Sequence, residues 1–74
     1  MTRRAVCTSY DMVCFPAMDD KLTTAVGRPS DFAGSGMGRR DHGWVVHSDD
    51  EAIRVGQAVA DLGLFVDVRE DGQF

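Results

Sequence analysis

The most regular pattern of apolar positions lies in the C-terminal half of the chain. Apolar residues recur there at spacings of three and four, which places them on one face of a helix: Ala52, Val55, Val59 and Leu62. Ser48 and Glu51 have the spacing of a capping box, in which each side chain accepts a hydrogen bond from the other residue's backbone amide. Gly63 stands where a left-handed residue ends many helices. We therefore predict a helix over residues 49–62.

Two segments with strand-like patterns flank this helix. Residues 43–47 are short, aromatic and β-branched, and residues 64–69 alternate, with Leu64, Val66 and Val68 on one face. A strand, a helix and a strand within this length predict a right-handed β-α-β unit whose two strands run in parallel.

The N-terminal half has weaker signals. Residues 5–8 are typical of a strand, and Pro16 suits the start of a helix that we predict over residues 17–26. The next segment, 28–42, is rich in glycine, and we predict a long loop there.

These elements predict a single α+β domain over residues 1–74, in the order β-α-β-α-β. The simplest arrangement is a three-stranded sheet with two helices packed on one face. With the N-terminal strand between the other two, it becomes a split β-α-β, an incomplete ferredoxin-like fold that lacks one strand. The expected core residues are Val6, Leu22, Trp44, Val55, Val59, Leu62, Phe65, Val66 and Val68.

Composition narrows the function classes. A chain of 74 residues has little scaffold for a deep cleft, so we expect a protein that is not an enzyme and needs no cofactor. No apolar run reaches the roughly 20 residues of a membrane helix, and no apolar run typical of a secretory signal follows Arg3 and Arg4. With two cysteines, reduced thiols in the cytoplasm are the expected state.

Charge is divided unevenly along the chain. Residues 1–40 carry a net charge of +2, whereas residues 41–74 carry −6. We therefore predict an acidic face that docks on a basic protein partner, and we expect no direct binding to duplex DNA, whose phosphates this half would repel. The predicted contact residues are Asp49, Asp50, Asp61, Asp67, Glu70 and Asp71. Solvation alone is the competing interpretation of these acids.

The glycine-rich segment supports an alternative function. Its glycines would let backbone amides converge on an anion while two arginines close over it, as in a phosphate, nucleotide or RNA module. The residues concerned are Gly34, Gly36, Gly38, Arg39 and Arg40. The segment leads into a predicted strand instead of a helix, unlike a Rossmann loop or a P-loop. A flexible connector with solvated arginines is the competing interpretation.

Cysteine and histidine raise two further chemistries. Cys7 and Cys14 are farther apart than zinc sites usually require, although His42 and His47 have an acceptable spacing. A cysteine nucleophile would need a neighbouring base, which sequence alone does not place. We therefore predict neither a metal site nor a catalytic residue.

In size and charge only, the chain resembles the small stand-alone inhibitors that phages and mobile elements direct against host defence, anti-CRISPR proteins among them. This resemblance carries over no functional residue. The basic partner expected from the charge of residues 41–74 is a nucleic-acid-handling protein. Self-association as a homodimer, through a sheet edge or an apolar sheet face, is a third expectation.

Overall fold

Four strands and two helices make up the computed structural model, which describes residues 3–70. In chain order they are β1 (Arg4–Asp11), α1 (Met18–Val26), β2 (Phe32–Gly36), β3 (Arg39–Val46), α2 (Asp49–Ala60) and β4 (Asp67–Glu70). The α+β class is thus confirmed, and both helices lie close to their predicted bounds.

The sheet has the strand order β2-β3-β1-β4. Strand β1 pairs antiparallel with β3, placing Val6 opposite Trp44, and antiparallel with β4, placing Val6 opposite Val68. Strands β3 and β4 therefore run in the same direction with β1 between them. The predicted parallel β-α-β unit is consequently a split one, in which the parallel strands are not neighbours.

The prediction of three strands was wrong, because the segment 28–42 contains β2 and the start of β3. Strand β2 pairs antiparallel with β3 through a tight turn at Met37 and Gly38, both with positive φ. That geometry fits the two-residue turns of β-hairpins. Strand β2 itself has no alternation of apolar and polar residues, and all five of its residues are exposed. Strand β2 is therefore defined by its pairing with β3 and by the turn, and not by a hydrophobic pattern.

Phe32 shields a glycine on the side of the sheet that faces away from the helices, which we call the open face. A Cβ atom built on Gly43 would lie 2.0 Å from the tip of the Phe32 ring. The two residues are register partners on β2 and β3. The ring thus covers the bare backbone of Gly43.

Both helices pack on the opposite side of the sheet. Alternate residues of β1 and β3 point towards them, among them Val6 and Trp44, which are fully buried. The core combines these strand residues with side chains from both helices: Val6, Tyr10, Met18, Leu22, Val26, Trp44, Val46, Val55, Val59 and Leu64.

Two predicted core residues are exposed instead. Phe65 and Val68 both present large fractions of their side chains to solvent. Strand β4 begins only at Asp67, and the irregular residues before it bury Leu64 while Phe65 turns outward. Leu62 and Val66 are partly buried against the core.

The predicted cap of α2 is present with one change of partner. The Ser48 hydroxyl accepts a hydrogen bond from the Glu51 amide at 3.1 Å. The Glu51 carboxylate accepts from the amide of His47 at 2.7 Å, one residue earlier than a capping box requires. The helix start is therefore fixed at the residue that the sequence indicated.

Replacing Gly56 by alanine is expected to stabilise the protein. Gly56 lies inside α2, and an added Cβ would meet Val66 at 3.6 Å, an ordinary van der Waals distance. Alanine is better than glycine in a helix interior by about 1 kcal/mol. Urea denaturation should show the free energy of unfolding rising by roughly that amount. A decrease would mean that α2 packs more closely on the residues before β4 than the structure shows.

Candidate functional site

A hydrogen-bonded cluster centred on Asp19 joins α1 to the sheet. Arg40 donates through Nε to both carboxylate oxygens of Asp19, at 3.0 and 2.9 Å. The Tyr10 hydroxyl lies 2.5 Å and the His42 Nε2 atom 2.8 Å from Oδ1 of Asp19. Three side chains from β1 and β3 therefore converge on one carboxylate at the first turn of α1.

His42 is held on all sides. Its Nδ1 atom lies 2.8 Å from the Ser30 hydroxyl, and its ring stacks between Tyr10 and Trp44 with centroid distances of 5.9 and 5.8 Å. In the neutral imidazole, Nε2 donates to Asp19, and Nδ1 then accepts the Ser30 proton. The cluster thus links the loop after α1 to the helix start through one buried ring.

The cluster shifts two ionisation equilibria in opposite directions. The hydrogen bond from Tyr10 lowers the pKa of Asp19 to about 2; burial opposes this shift, while His42 and Arg40 reinforce it. Burial raises the pKa of Tyr10, and the hydrogen bond to the Asp19 carboxylate raises it further. The folded protein therefore keeps Asp19 ionised and the Tyr10 phenol protonated.

Ser30, His42 and Asp19 are hydrogen-bonded in the order serine, histidine, aspartate, which is the order found in hydrolase triads. In this chain the imidazole is fixed between two aromatic rings, and Tyr10 and Arg40 share the carboxylate. These contacts tie α1 to β1 and β3. We therefore assign the cluster to the stability of the fold.

The structure distributes the predicted acidic residues over several places. Asp49 forms an ion pair with Arg4 at 2.7 Å, and Asp67 forms one with Arg69 at 2.9 Å on the open face. Glu70 ends β4 opposite Arg4, and Asp71 lies outside the described residues. Asp50 and Asp61 lie at the two ends of α2, the first in its first turn and the second at its C-cap.

The solvent-facing side of α2 forms a continuous surface. Asp50, Ile53, Gln57 and Asp61 are exposed and follow each other at spacings of three and four, so they lie in one row. The Asp61 carboxylate accepts a hydrogen bond from the Gln57 side-chain amide at 2.7 Å, and Ile53 is 69% exposed between the acids. We call these four residues the outer α2 face. From Asp50 to Asp61 this row is about 16 Å long, as the rise of an α-helix requires.

The predicted anion-binding residues do not converge. Gly34 and Gly36 belong to β2, Gly38 completes the hairpin turn, and the two arginines are successive residues of β3. Arg39 and Arg40 consequently point to opposite faces of the sheet. Arg39 contacts the Ser9 hydroxyl on one face, and Arg40 pairs with Asp19 on the other. The expected loop conformation is wrong, and this hairpin does not bring both guanidinium groups to one anion.

The cysteines and histidines are also separated. Cys7 and Cys14 are free, the first buried and the second exposed. Burial raises the pKa of the Cys7 thiol, although the nearby Arg69 charge lowers it in part. Within residues 3–70, no three side chains of the types that hold metal ions come together.

Neither helix within residues 3–70 combines the length and the apolar character of a segment that crosses a bilayer. Comparison of the chain with models of known families, with curated proteins and with solved structures gave no match.

Proposed function

We propose that this protein is a small non-enzymatic interaction module that docks the outer α2 face on a basic protein partner. The observation that carries this proposal is the exposed Ile53 in a row with Asp50 and Asp61. An apolar side chain flanked by acids offers both a desolvated anchor and a charge pattern for cationic side chains.

Asp50 is the acid most available to a partner. It is exposed, and within residues 3–70 it has no ion pair, unlike Asp49 and Asp67. The first turn of α2 also contains Asp49, which pairs with Arg4, and Glu51, which lies 3.9 Å from Arg54. A partner would contact Asp50 directly and interact electrostatically with the neighbouring carboxylates at longer range.

The partner class follows from charge and size. Basic surfaces are typical of proteins that handle nucleic acids. The chain also resembles small phage and mobile-element inhibitors such as anti-CRISPR proteins in size and charge. We therefore propose a nucleic-acid-handling protein as the partner, bound through its basic groove.

Reversing the charge of Asp50 tests this proposal. Immobilised protein is used to capture partners from a host lysate at about 50 mM salt, with release at higher salt, where exposed charges are screened. We expect basic proteins to be retained by the natural chain and lost with Asp50→Lys. Ile53→Ala should weaken the affinity of the recovered partner about tenfold, as expected for an interface anchor.

The matched control is Asp41→Lys. Asp41 is exposed on the open face and, among the described residues, has no ion pair, so this variant changes net charge equally. It should retain the partner. Equal loss with both variants would show that only net charge matters, and retention that is insensitive to salt and to Asp50→Lys would contradict the proposal.

A further inference from the structure

Exposed apolar side chains gather at one end of the sheet. The Met12 amide donates to the Gly38 carbonyl oxygen at 2.9 Å, which joins the β1–α1 loop to the β2–β3 turn. Met12 is 39% exposed, Val13 is 86% exposed and Met37 is fully exposed. An apolar surface of neighbouring residues marks an interaction site more strongly than scattered single residues do.

A groove of about 380 Å³ opens beside Met12. Its apolar walls come from Met12, Phe15, Ala17 and Met18, with Tyr10 beside them. Its charged walls come from Asp19, Asp20 and Arg40. This volume is within the range of small-ligand sites and accommodates a large side chain with its neighbour. The Asp19 cluster fixes Tyr10 underneath, so one wall is rigid before anything binds.

Two residues at this end have backbone conformations that disfavour side chains. Met37 and Ala17 have φ values of 53° and 58°, in the left-handed region where glycine or asparagine is preferred. Ala17 is the residue that precedes α1, and its side chain makes no capping hydrogen bond to the helix. The hairpin turn accounts for Met37, whereas Ala17 lines the groove, and backbone strain of this kind is found at ligand-binding sites.

The charge at the groove indicates what it binds. Arg40 neutralises Asp19, whereas Asp20 is exposed and, within residues 3–70, has no ion pair. A carboxylate beside thioether and aromatic walls complements an apolar side chain followed by a cationic one. Methionine side chains adapt to varied apolar shapes.

We propose that this groove binds a short peptide segment of a partner protein, in which a large apolar side chain is followed by lysine or arginine. The apolar side chain lies against Met12, Phe15 and Met18, and the cation pairs with Asp20. This site is independent of the outer α2 face and needs none of its residues.

Methyl spectra of the methionines test the proposal directly, because Met12, Met18 and Met37 all lie at this end. The probe is the peptide acetyl-Ala-Leu-Lys-Ala-amide, titrated into protein with ¹³C-labelled methionine methyl groups. We expect saturable shifts of these three signals. A matched peptide, acetyl-Ala-Leu-Glu-Ala-amide (the Leu-Glu peptide), should bind about two- to fivefold more weakly, the effect of one exposed ion pair, and Asp20→Asn should remove that difference.

The variant Met12→Ser with Met37→Asn separates binding from folding. Both positions are exposed, and asparagine before Gly38 suits the hairpin turn, so stability should be retained. This variant should lose peptide binding, whereas Asp50→Lys should keep it. Shifts that never saturate, or equal binding of the Leu-Lys and Leu-Glu peptides, would overturn the inference without affecting the proposal for α2.

Discussion

Replacing Asp19 by alanine is expected to lower the free energy of unfolding by about 2–4 kcal/mol, because hydrogen bonds to a charged group are lost and a buried partner remains. His42 is buried, and its Nε2 atom would lose the carboxylate acceptor at 2.8 Å. Arg40 would lose its ion partner at the same time. Urea denaturation followed by far-ultraviolet circular dichroism measures the change.

The same carboxylate predicts a pH dependence. The pKa of Asp19 is about 2 in the folded protein, below its ordinary value of 3.8. The unfolded chain therefore binds the proton first, and the stability from Asp19 is lost as the pH falls from about 4 to 2. Tyr10 has a raised pKa, so its contribution is complete below its ordinary value of 10.0 and is lost as the pH rises further.

Asp19→Asn is the control for charge. It keeps one acceptor oxygen but removes the ionisation, so its loss of stability should be smaller and the acid-dependent part of the curve should flatten. If Asp19→Ala unfolds at the same urea concentration as the natural chain, the Asp19 cluster does not stabilise the fold.

Replacing Trp44 by alanine is expected to cost about 3–5 kcal/mol, the range for large aromatic residues in cores. Trp44 is fully buried, and its indole nitrogen donates to the Arg28 carbonyl oxygen at 3.1 Å. A domain of 74 residues has a total stability of roughly 4–11 kcal/mol. The loss is a large share of this total, so we expect the urea midpoint of unfolding to fall strongly.

Trp44→Phe separates packing from hydrogen bonding. It keeps an aromatic ring against His42 but removes the indole donor, so its cost should be smaller than that of alanine. The chain has one tryptophan, so circular dichroism is needed in place of intrinsic fluorescence. Equal losses for the two variants would contradict the packing argument.

Local signals were sufficient for α2. Ser48, Glu51 and the period of Val55 and Val59 all act within a few residues of each other, and the structure confirms the helix start and its buried side. Strand β2 carries no such local signal, because glycine and serine have little intrinsic preference for strands. Strand β2 forms because it pairs with β3 across the Met37-Gly38 turn.

The Asp19 cluster shows a second reason why sequence analysis fell short. Tyr10, Asp19, Ser30 and His42 come from two strands, one helix and one loop, so their spacing in the chain carries no information about contact. One signal was present: His42 stands two residues before Trp44, so a longer β3 would have placed it on the core side.

The acidic surface was predicted only in part. Net charge identified the C-terminal half, but charge counts do not show which carboxylates already have partners. Arg4 comes from the start of β1, and it meets Asp49 only after the sheet forms. Asp50 and Asp61 remain available because they project from the side of α2 that faces away from the core.

The most direct test of docking through the outer α2 face is an amide chemical-shift map of ¹⁵N-labelled protein, recorded with and without the captured basic partner. We predict that the largest changes fall on Asp50, Ile53, Gln57 and Asp61. Changes confined to the open face of the sheet or to the β2–β3 turn, with α2 unaffected, would contradict it.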